Sequence, residues 1–529
     1  MNSFVSLNYR RIWISVFAMT LVLSPSGWAQ KATRKLTGDE SGNLQLEAAR
    51  KNPLQLRHFL QQMPKGADLH YHLTGGVYAE TFIRDGVEDG LCIDIKIPAF
   101  IKCSAEMSKD VECAESWKTD EIVPARAAYC QQHLYDAMVD AFSMRGFVPY
   151  AGVTNHDHFF DSFGKFAALK ATHRAEWVDE VARRAATQNE QYMELMFTPD
   201  FHLASKLATE IPWTEDFPKL REEFLAQGLL ENVKSAVDEY RETERKRREL
   251  EKCDQPKRED ACRVDVRYLY QVLRGLPQEV VFAQALLAFE AAQAAPELVV
   301  GLNFVMPEDG YVPMRDYDLH MRMVKYLHGV YPNVHIALHA GEITYEMVPP
   351  DGLCCHVRKA VEAGAERIGH GVDVLYEQQP HQLMREMAAK HVMVEINLTS
   401  NAVILGVSGM DHPFPMYRQF GVPMALSTDD EGVSRIDLTN EYVRAVETYG
   451  LSYADLKKMA RTGLEHAFLP GNSLWMEKDS FSKFAIDCAK DSPVRDAKSK
   501  SCETFLNMNV KAKAQWELER RFVEFEATF

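Results

Sequence analysis

The sequence predicts an α/β protein built on a (β/α)8 TIM-type barrel, with insertions and a C-terminal helical extension. Short apolar runs rich in β-branched or aromatic residues alternate with longer helical patterns, which is typical of a parallel sheet. Eight such runs occur, the number that closes a barrel. The 529 residues suit one large barrel with extensions, and 46% hydrophobic residues allow a large core.

The predicted strands follow one another along most of the chain. They are 67–73, 191–197, 264–273, 298–305, 334–339, 367–370, 391–397 and 422–428. Helical patterns are predicted at 172–187, 278–294, 317–330 and 353–363, with a last helix at 510–528. In such a barrel the reactive side chains collect at the C-terminal ends of the strands, so functional residues are expected there.

The first 29 residues have the pattern of a secretory signal peptide. Arg10 and Arg11 precede an apolar run at 12–23, and small residues lead to Ala29, after which we expect cleavage. An uncleaved membrane anchor is the alternative, but the run is shorter than the roughly 20 residues needed to span a bilayer. We therefore expect export to the periplasm or the extracellular space, with no membrane association after signal removal.

Three further segments are expected in the mature chain. Residues 30–62 form an N-terminal segment, 63–472 the barrel, and 473–529 a C-terminal extension. Polar stretches at about 89–130 and 242–262 are interpreted as insertions, the second being a charge run on a solvated helix end and loop. The formal net charge of −16 disfavours nucleic acid and anionic membranes as partners.

Ten cysteines follow the predicted signal. Eight of them form close sequence pairs at 92/103, 113/130, 253/262 and 488/502, which favour local disulfides in an exported protein, although spacing does not prove the connectivity. For Cys354 and Cys355, packing or a disulfide is the expected use. The sequence has no CxxC motif, so a thiolate zinc finger is unsupported.

Two predicted strands end in histidine-containing motifs. In ADLHYHLTG, His70 and His72 are two residues apart and therefore project to the same side of a strand. In HIALHAGE, His339 ends an apolar strand and Glu342 follows in a glycine-containing turn. Each motif taken alone fits structural histidines as well as a metal site.

Two more strand ends carry residues of the same kinds. His370 lies between two glycines in RIGHGVD, and Asp429 and Asp430 end the strand in VPMALSTDDEG. A turn histidine and a helix N-cap are the simpler interpretations. A cap, however, needs one carboxylate, and two adjacent carboxylates repel each other unless a cation or a donor offsets them. Four strand ends with ligand-type residues in one barrel together predict a metal site.

These motifs resemble the adenosine deaminase family of the metal-dependent amidohydrolase superfamily. The similar segments, in the family's order, are MPKGADLHYHLTGG, LHAGE, RIGHGVD, EINLTSN and STDDEG, and they run from Met63 to about Gly432. The signal pattern and the cysteine-bearing insertions are more similar to the secreted, growth-factor-related branch. The resemblance implies one Zn²⁺ per chain, bound by His70, His72, His339 and Asp429.

The resemblance also implies the catalytic roles. Glu342 would protonate the purine ring nitrogen, His370 would orient and deprotonate the zinc-bound water, and Asp430 would hydrogen-bond that water or the new hydroxyl. Two positions depart from the family's pattern: Thr74 stands where many members have an aspartate that contacts the ribose, and Met306 stands where a glycine often meets the purine. Both departures bear on substrate binding and leave the zinc chemistry intact.

We therefore expect zinc-dependent hydrolysis of adenosine or a related aminopurine nucleoside to the inosine-type product and ammonia. The alternatives are a mononuclear amidohydrolase with a non-purine substrate and a non-catalytic nucleoside-binding or signalling relative. The expected partner is a small purine nucleoside, and a homodimer is a possible assembly. Secondary candidates are Glu194, as a site residue or a buried pair, His156 and His158 at the pocket mouth, and Asn397, Ser400 and Asn401 at the barrel rim.

Overall fold

Eight parallel strands form the barrel in the computed structural model, which describes residues 37–104, 113, 121–494 and 498–529. The strands in chain order, including three of a smaller sheet, are β1 Gly66–His72, β2 Cys92–Asp94, β3 Ala99–Ile101, β4 Ile122–Pro124, β5 Glu190–Phe197, β6 Asp265–Leu273, β7 Val299–Val305, β8 His335–Ala340, β9 Arg367–His370, β10 Met393–Ile396 and β11 Met424–Leu426. The barrel order is β1-β5-β6-β7-β8-β9-β10-β11, which confirms the predicted (β/α)8 fold class.

The barrel closes between its last strand and its first. His72 N–H donates to the carbonyl of Asp429 at 3.1 Å, and Asp429 N–H donates to the carbonyl of His70 at 2.9 Å. These bonds place Asp429 at the barrel rim beside both histidines of β1. The backbone hydrogen bonds that close the barrel therefore also fix the position of Asp429 relative to His70 and His72.

Helices surround the barrel and continue into the C-terminal extension. The described helices are α1 Gly38–Ala49, α2 Pro53–Gln62, α3 Leu73–Gly76, α4 Ala79–Glu88, α5 Gln132–Ala141, α6 Asn155–Phe166, α7 Arg174–Thr187, α8 His202–Glu210, α9 Phe217–Ala226, α10 Leu229–Leu250, α11 Gln278–Ala294, α12 Tyr311–Val330, α13 His356–Ala363, α14 Pro380–Lys390, α15 Leu398–Ile404, α16 Phe414–Phe420, α17 Glu431–Ser434, α18 Leu438–Tyr449, α19 Tyr453–His466, α20 Lys500–Met508 and α21 Val510–Glu526. Because helices cover the barrel, strands β5 and β7 are buried along their whole length.

The predicted insertion at 89–130 contains structure that the sequence did not indicate. Strands β2, β3 and β4 form an antiparallel sheet in the order β3-β2-β4. The Cys92–Cys103 disulfide joins β2 to the segment after β3, and Cys113–Cys130 reaches the turn before α5. The predicted signal peptide at 1–29 lies outside the described residues. Of the helices in the described ranges, none has the length and apolar character that crossing a bilayer requires.

The charge run at 242–262 departs in part from the predicted solvated face. It forms the end of α10 and a loop that the Cys253–Cys262 disulfide closes. Arg247 and Glu251 are buried there as an ion pair at 2.7 Å. Beyond the barrel, the extension has a small core of its own that includes Trp475, Trp516 and the Cys488–Cys502 disulfide.

His320, on α12, gives a test of how burial affects stability. Its side chain is 1% exposed and neither ring nitrogen has a hydrogen-bond partner, and burial lowers its pKa from 6.5 to about 4. Below pH 6.5 the unfolded chain therefore binds a proton that the folded chain does not. The free energy of unfolding should fall as the pH drops from 6.5 and level off below about 4, by up to about 3 kcal/mol.

We expect His320→Leu to remove this part of the pH dependence. The measurement is urea unfolding of the wild type and the variant at pH 7, 5.5 and 4.5, with His58→Leu on the exposed face of α2 as the control. A difference between wild type and His320→Leu that is the same at all three pH values would contradict the assignment.

Candidate metal centre and active site

The rim of the barrel brings four ligand-type side chains to one point. His70 and His72 come from β1, His339 comes from β8, and Asp429 follows β11. The Nε2 atom of His339 lies 3.1 Å from Nε2 of His70 and 3.2 Å from Nε2 of His72. Oδ1 of Asp429 lies 3.3 Å from the Nε2 atoms of both His70 and His72. The structure thus brings together the four residues that the sequence predicts as metal ligands.

A second layer of polar side chains fixes the orientation of the three imidazoles. Each Nδ1 atom contacts an oxygen, in the pairs His70 with Glu395 at 2.6 Å, His72 with Gln271 at 2.9 Å and His339 with Asn303 at 2.9 Å. The backbone N–H of His339 also donates to Oδ1 of Asn303, which identifies that atom as the oxygen. Because each Nδ1 donates a proton, each Nε2 presents a lone pair to the common point.

This arrangement fits a metal ion. Three lone pairs and a carboxylate oxygen so close together repel one another unless a cation lies among them. Four donors at tetrahedral positions about 2.0–2.2 Å from one zinc ion would lie about 3.3–3.6 Å apart, close to the separations seen here. Oδ1 of Asp429 is buried and has no hydrogen-bond partner, and burial lowers the pKa of His339 well below its usual value, which keeps its ring neutral. The donor set therefore suits a divalent cation.

Strained backbone positions these groups. His370 has φ of 70° and Asp429 has φ of 65°, in the left-handed region that residues with a Cβ seldom adopt. Each such residue costs about 1–3 kcal/mol and persists where the surrounding structure fixes it. For Asp429 the two backbone hydrogen bonds that close the barrel supply that constraint.

Glu342 lies beside this centre as a buried carboxyl group. It follows Gly341, whose φ of 77° allows the chain to turn directly after β8. The N–H groups of Gly341 and Glu342 donate to Glu308 at 3.0 and 2.8 Å, which fixes the turn. Burial, and then the negative charges of Asp429 and Glu308, raise the pKa of Glu342 well above its usual value. These effects favour the protonated form of Glu342.

Asp430 has the properties of a group that exchanges protons. It is buried, its Oδ1 has no hydrogen-bond partner, and burial raises its pKa to about 7 with a contribution from the neighbouring Asp429. A Cβ at position 75 would overlap Oδ1 of Asp430, so Gly75 of the LTGG segment makes room for this carboxyl group.

A cavity of about 440 Å³ opens next to the ligands. Its polar lining consists of His72, Gln271, His339, Glu342, Asp429 and Asp430, and its apolar lining of Phe159, Phe160, Phe163, Leu273, Leu276, Val305, Met306, Pro307 and Ile404. The volume is that of a small-molecule site. The three phenylalanines come from α6, the helix whose His156 and His158 the sequence places at the pocket mouth, but the phenylalanines themselves were not predicted.

Met306 and Thr74, the two predicted substrate contacts, differ in their position. Met306 lines the cavity with φ of 92°, and its side chain lies over Gly275, where a Cβ would be 2.8 Å from Cε of the methionine. Thr74 lies on α3, and it is not among the residues that line the cavity.

The secondary candidates from the sequence have structural partners. Glu194 forms a buried pair with Arg367 at 2.6 Å. His156 contacts Asp309 at 3.1 Å, and His158 stacks on Phe147 with ring centroids 4.0 Å apart. These two histidines therefore do not converge on one metal site. Sequence reasoning missed Glu308, Gln271, Asn303 and Glu395, because single polar residues in or after buried strands carry no spacing signal.

Comparison with protein families matches residues 146–474 to the adenosine deaminase family, more than half of the chain. The chain belongs to the adenosine deaminase family. Members of this family are metal-dependent enzymes, which agrees with the donor set at the barrel rim. The family assignment supports a deaminase and leaves its substrate open.

Curated relatives include the adenosine deaminase of Shewanella loihica, which is 26% identical over 346 residues, covering 64% of this chain and 88% of the relative. The adenosine deaminase of Escherichia coli is 36% identical over 136 residues, covering 26% of this chain and 38% of the relative.

Among solved structures, Arabidopsis ADAL with IMP is 20% identical, with a TM-score of 0.49 and coverage of 78% of this chain and 94% of that one. The Arabidopsis N6-mAMP deaminase MAPDA is 20% identical, with a TM-score of 0.47 and coverage of 78% and 96%.

Removing a polar partner of a ligand histidine should weaken metal binding. Gln271→Leu removes the acceptor from Nδ1 of His72, so the ring loses its fixed orientation. We expect the metal to bind about 10–100-fold more weakly, because partners of ligand histidines contribute on that scale. Competition with a chromophoric zinc chelator measures this affinity.

Gln191→Leu is the matched control, because Gln191 is likewise a glutamine in a barrel strand but its amide donates to the carbonyl of Ala514 on α21. Equal weakening in both variants, or native affinity in Gln271→Leu, would contradict the role of Gln271.

Proposed function

We propose that this protein is a zinc-dependent aminohydrolase that converts adenosine, or a related uncharged aminopurine nucleoside, to the inosine-type product and ammonia. The observation that carries the proposal is a buried carboxyl group, Glu342, which has a raised pKa and lines a cavity beside four converging metal-ligand atoms. A deaminase needs both groups, because it must activate water and make a poorly electrophilic carbon reactive.

Zinc is the cation that the ligands favour. Histidine nitrogen with one carboxylate oxygen is a zinc-type donor set, and because zinc can expand from four to five ligands, a water molecule could join the four protein ligands. Bound at this point, zinc would lower the pKa of a water molecule from about 15.7 to about 7.

Glu342 supplies the proton that the substrate needs. The amine-bearing carbon of the purine resists attack until the ring nitrogen beside it is protonated or strongly hydrogen-bonded. Burial and neighbouring negative charge raise the pKa of Glu342 well above its usual value, which favours its protonated form. It can therefore donate to the ring nitrogen as attack proceeds.

Asp430 fits the complementary role of proton acceptor. Its Oδ1 has no partner, it lines the cavity, and its pKa of about 7 lets it gain and lose a proton near neutral pH. It would take a proton from the attacking water and return one to the departing amine. Two buried carboxyl groups with pKa values set apart by their surroundings thus divide the acid and base work.

The cavity wall favours a nucleoside over a nucleotide. Among the described residues that line the cavity there is no lysine or arginine, and nine of the fifteen are apolar. A phosphate group would lose its hydration there without a cation to replace it. The sugar of an uncharged nucleoside needs hydrogen-bond partners only for its hydroxyl groups.

Export and membership of the secreted branch remain part of the proposal. All ten cysteines lie in described residues and are paired as Cys92–Cys103, Cys113–Cys130, Cys253–Cys262, Cys354–Cys355 and Cys488–Cys502. Disulfides persist in oxidising compartments, so these pairs support a periplasmic or extracellular location.

Glu342→Gln tests the proton donor. The amide cannot donate a carboxyl proton, so we expect kcat with adenosine to fall by more than about a hundredfold while zinc content stays at one per chain. Loss of the adenosine absorbance in the ultraviolet measures turnover, and a chelator should abolish it in the wild type.

Glu346→Gln, on the exposed loop four residues later, is the control and should keep wild-type activity. Full activity in Glu342→Gln would remove the proposed acid. A zinc-loaded wild type that turns over no aminopurine would favour a non-purine substrate or a binding protein.

The apolar wall predicts discrimination against phosphate. We expect kcat/KM for adenosine to exceed that for AMP by at least about a hundredfold, because the cavity offers the phosphate no compensating charge. Steady-state kinetics with adenosine, 2′-deoxyadenosine and AMP at equal ionic strength measure this ratio. Comparable values for adenosine and AMP would contradict the proposed substrate class.

A further inference from the structure

A chain of hydrogen bonds leads from a backbone amide to His370. The N–H of Phe414 donates to Nδ1 of His412 at 3.0 Å, and Nε2 of His412 lies 3.0 Å from Oδ1 of Asn401. Nδ2 of Asn401 lies 2.8 Å from Nδ1 of His370. The three side chains are buried, so water does not compete for these contacts.

The N–H of Phe414 determines which atom donates in each of these hydrogen bonds. A backbone N–H can only donate, so Nδ1 of His412 carries no proton and its Nε2 does. Burial lowers the pKa of His412 to about 4, which keeps the ring in this neutral form. Nε2–H of His412 then needs an acceptor, which identifies the facing atom of Asn401 as its oxygen. The amide nitrogen of Asn401 therefore donates to Nδ1 of His370.

His370 consequently carries its proton on Nε2, the atom that faces the active site. Nε2 lies 3.5 Å from Oε1 of Glu342 and 3.8 Å from Oδ2 of Asp429. Asn397 also approaches the ring, but its nitrogen is 3.4 Å from both ring nitrogens and selects neither. A protonated Nε2 donates a hydrogen bond into the site and has no lone pair to accept a proton.

We propose that Asn401 and His412 are positioning residues that hold His370 in its Nε2–H tautomer, so that His370 donates a hydrogen bond to the attacking oxygen. In this tautomer His370 has no lone pair on Nε2 with which to remove a proton, which differs from the base role that the resemblance implies for it. This inference rests on the proposed function for the identity of the attacking oxygen. The tautomer itself follows from the hydrogen bonds alone.

His412 offers a matched pair of substitutions. In His412→Gln the amide nitrogen reaches as far as Nε2 and can still donate to Asn401, whereas in His412→Asn the shorter side chain reaches only as far as Nδ1. We expect kcat of His412→Gln to stay within about threefold of wild type and that of His412→Asn to fall at least about tenfold, with KM changed less than about threefold in both. Zinc content and unfolding midpoints show that both variants fold.

Asn401→Asp reverses the direction of the last hydrogen bond, which joins residue 401 to Nδ1 of His370. A carboxylate accepts a hydrogen bond where the amide donated one, so a proton is drawn to Nδ1 of His370. We expect kcat to fall by more than about a hundredfold with zinc retained, in the range for a lost acid–base interaction. The plot of kcat against pH should also change, because His370 can then become positively charged.

The tautomer has a direct readout that needs no turnover. In zinc-loaded protein labelled with ¹⁵N-histidine, the difference spectrum between wild type and His370→Gln identifies the imidazole nitrogens of His370. We expect Nδ1 at the shift of an unprotonated nitrogen and Nε2 at that of a protonated one, with the change at Nδ1 appearing in Asn401→Asp.

A protonated Nδ1 in the wild type would overturn the proposal, and so would equal activities of His412→Asn and His412→Gln. If the spectrum shows the expected tautomer but no aminopurine is turned over, the proposed function fails and the tautomer assignment stands.

Discussion

Four electron-rich atoms converge at the barrel rim, and the rest of the site is arranged to hold them there. The Nε2 atoms of His70 and His72 each lie 3.1–3.3 Å from both Nε2 of His339 and Oδ1 of Asp429, a spacing that is unfavourable without a cation. The protein must therefore supply enough structure to hold them in place. It does so by drawing each ligand from a strand end, where the backbone ladder of the barrel fixes its direction.

A row of buried side chains with alternating charge supports the ligands from the barrel interior. His70 contacts Glu395, Glu395 pairs with Arg367 at 2.7 Å, and Arg367 pairs with Glu194 at 2.6 Å. All four are buried, so removing one would leave its partner without compensation. Glu194, a candidate site residue in the sequence, thus acts on His70 only through two intervening groups, Arg367 and Glu395.

The sequence predicted those parts of the molecule that have a periodic or local signal. Alternation of apolar strands and helices gave the barrel, and the HxH spacing and the strand-end motifs gave His70, His72, His339 and Asp429. The second layer could not be predicted, because single polar residues such as Gln271 and Asn303 within a strand carry no spacing signal. The sequence placed His156 and His158 of α6 at the pocket mouth but missed the phenylalanines of the same helix, since three phenylalanines at helical spacing are equally typical of a core.

Asn401 shows why the remaining part of the site depends on three-dimensional geometry. From sequence it belongs to a strand-end segment whose polar residues shape the rim, and nothing in EINLTSN distinguishes its amide from that of Asn397. Only the position of His412, eleven residues later, and of the N–H of Phe414 gives the amide a direction. The protonation state of a buried imidazole is then decided by a backbone amide three hydrogen bonds away. Because a backbone N–H cannot reverse its role, this origin is more robust to pH than any titratable group would be.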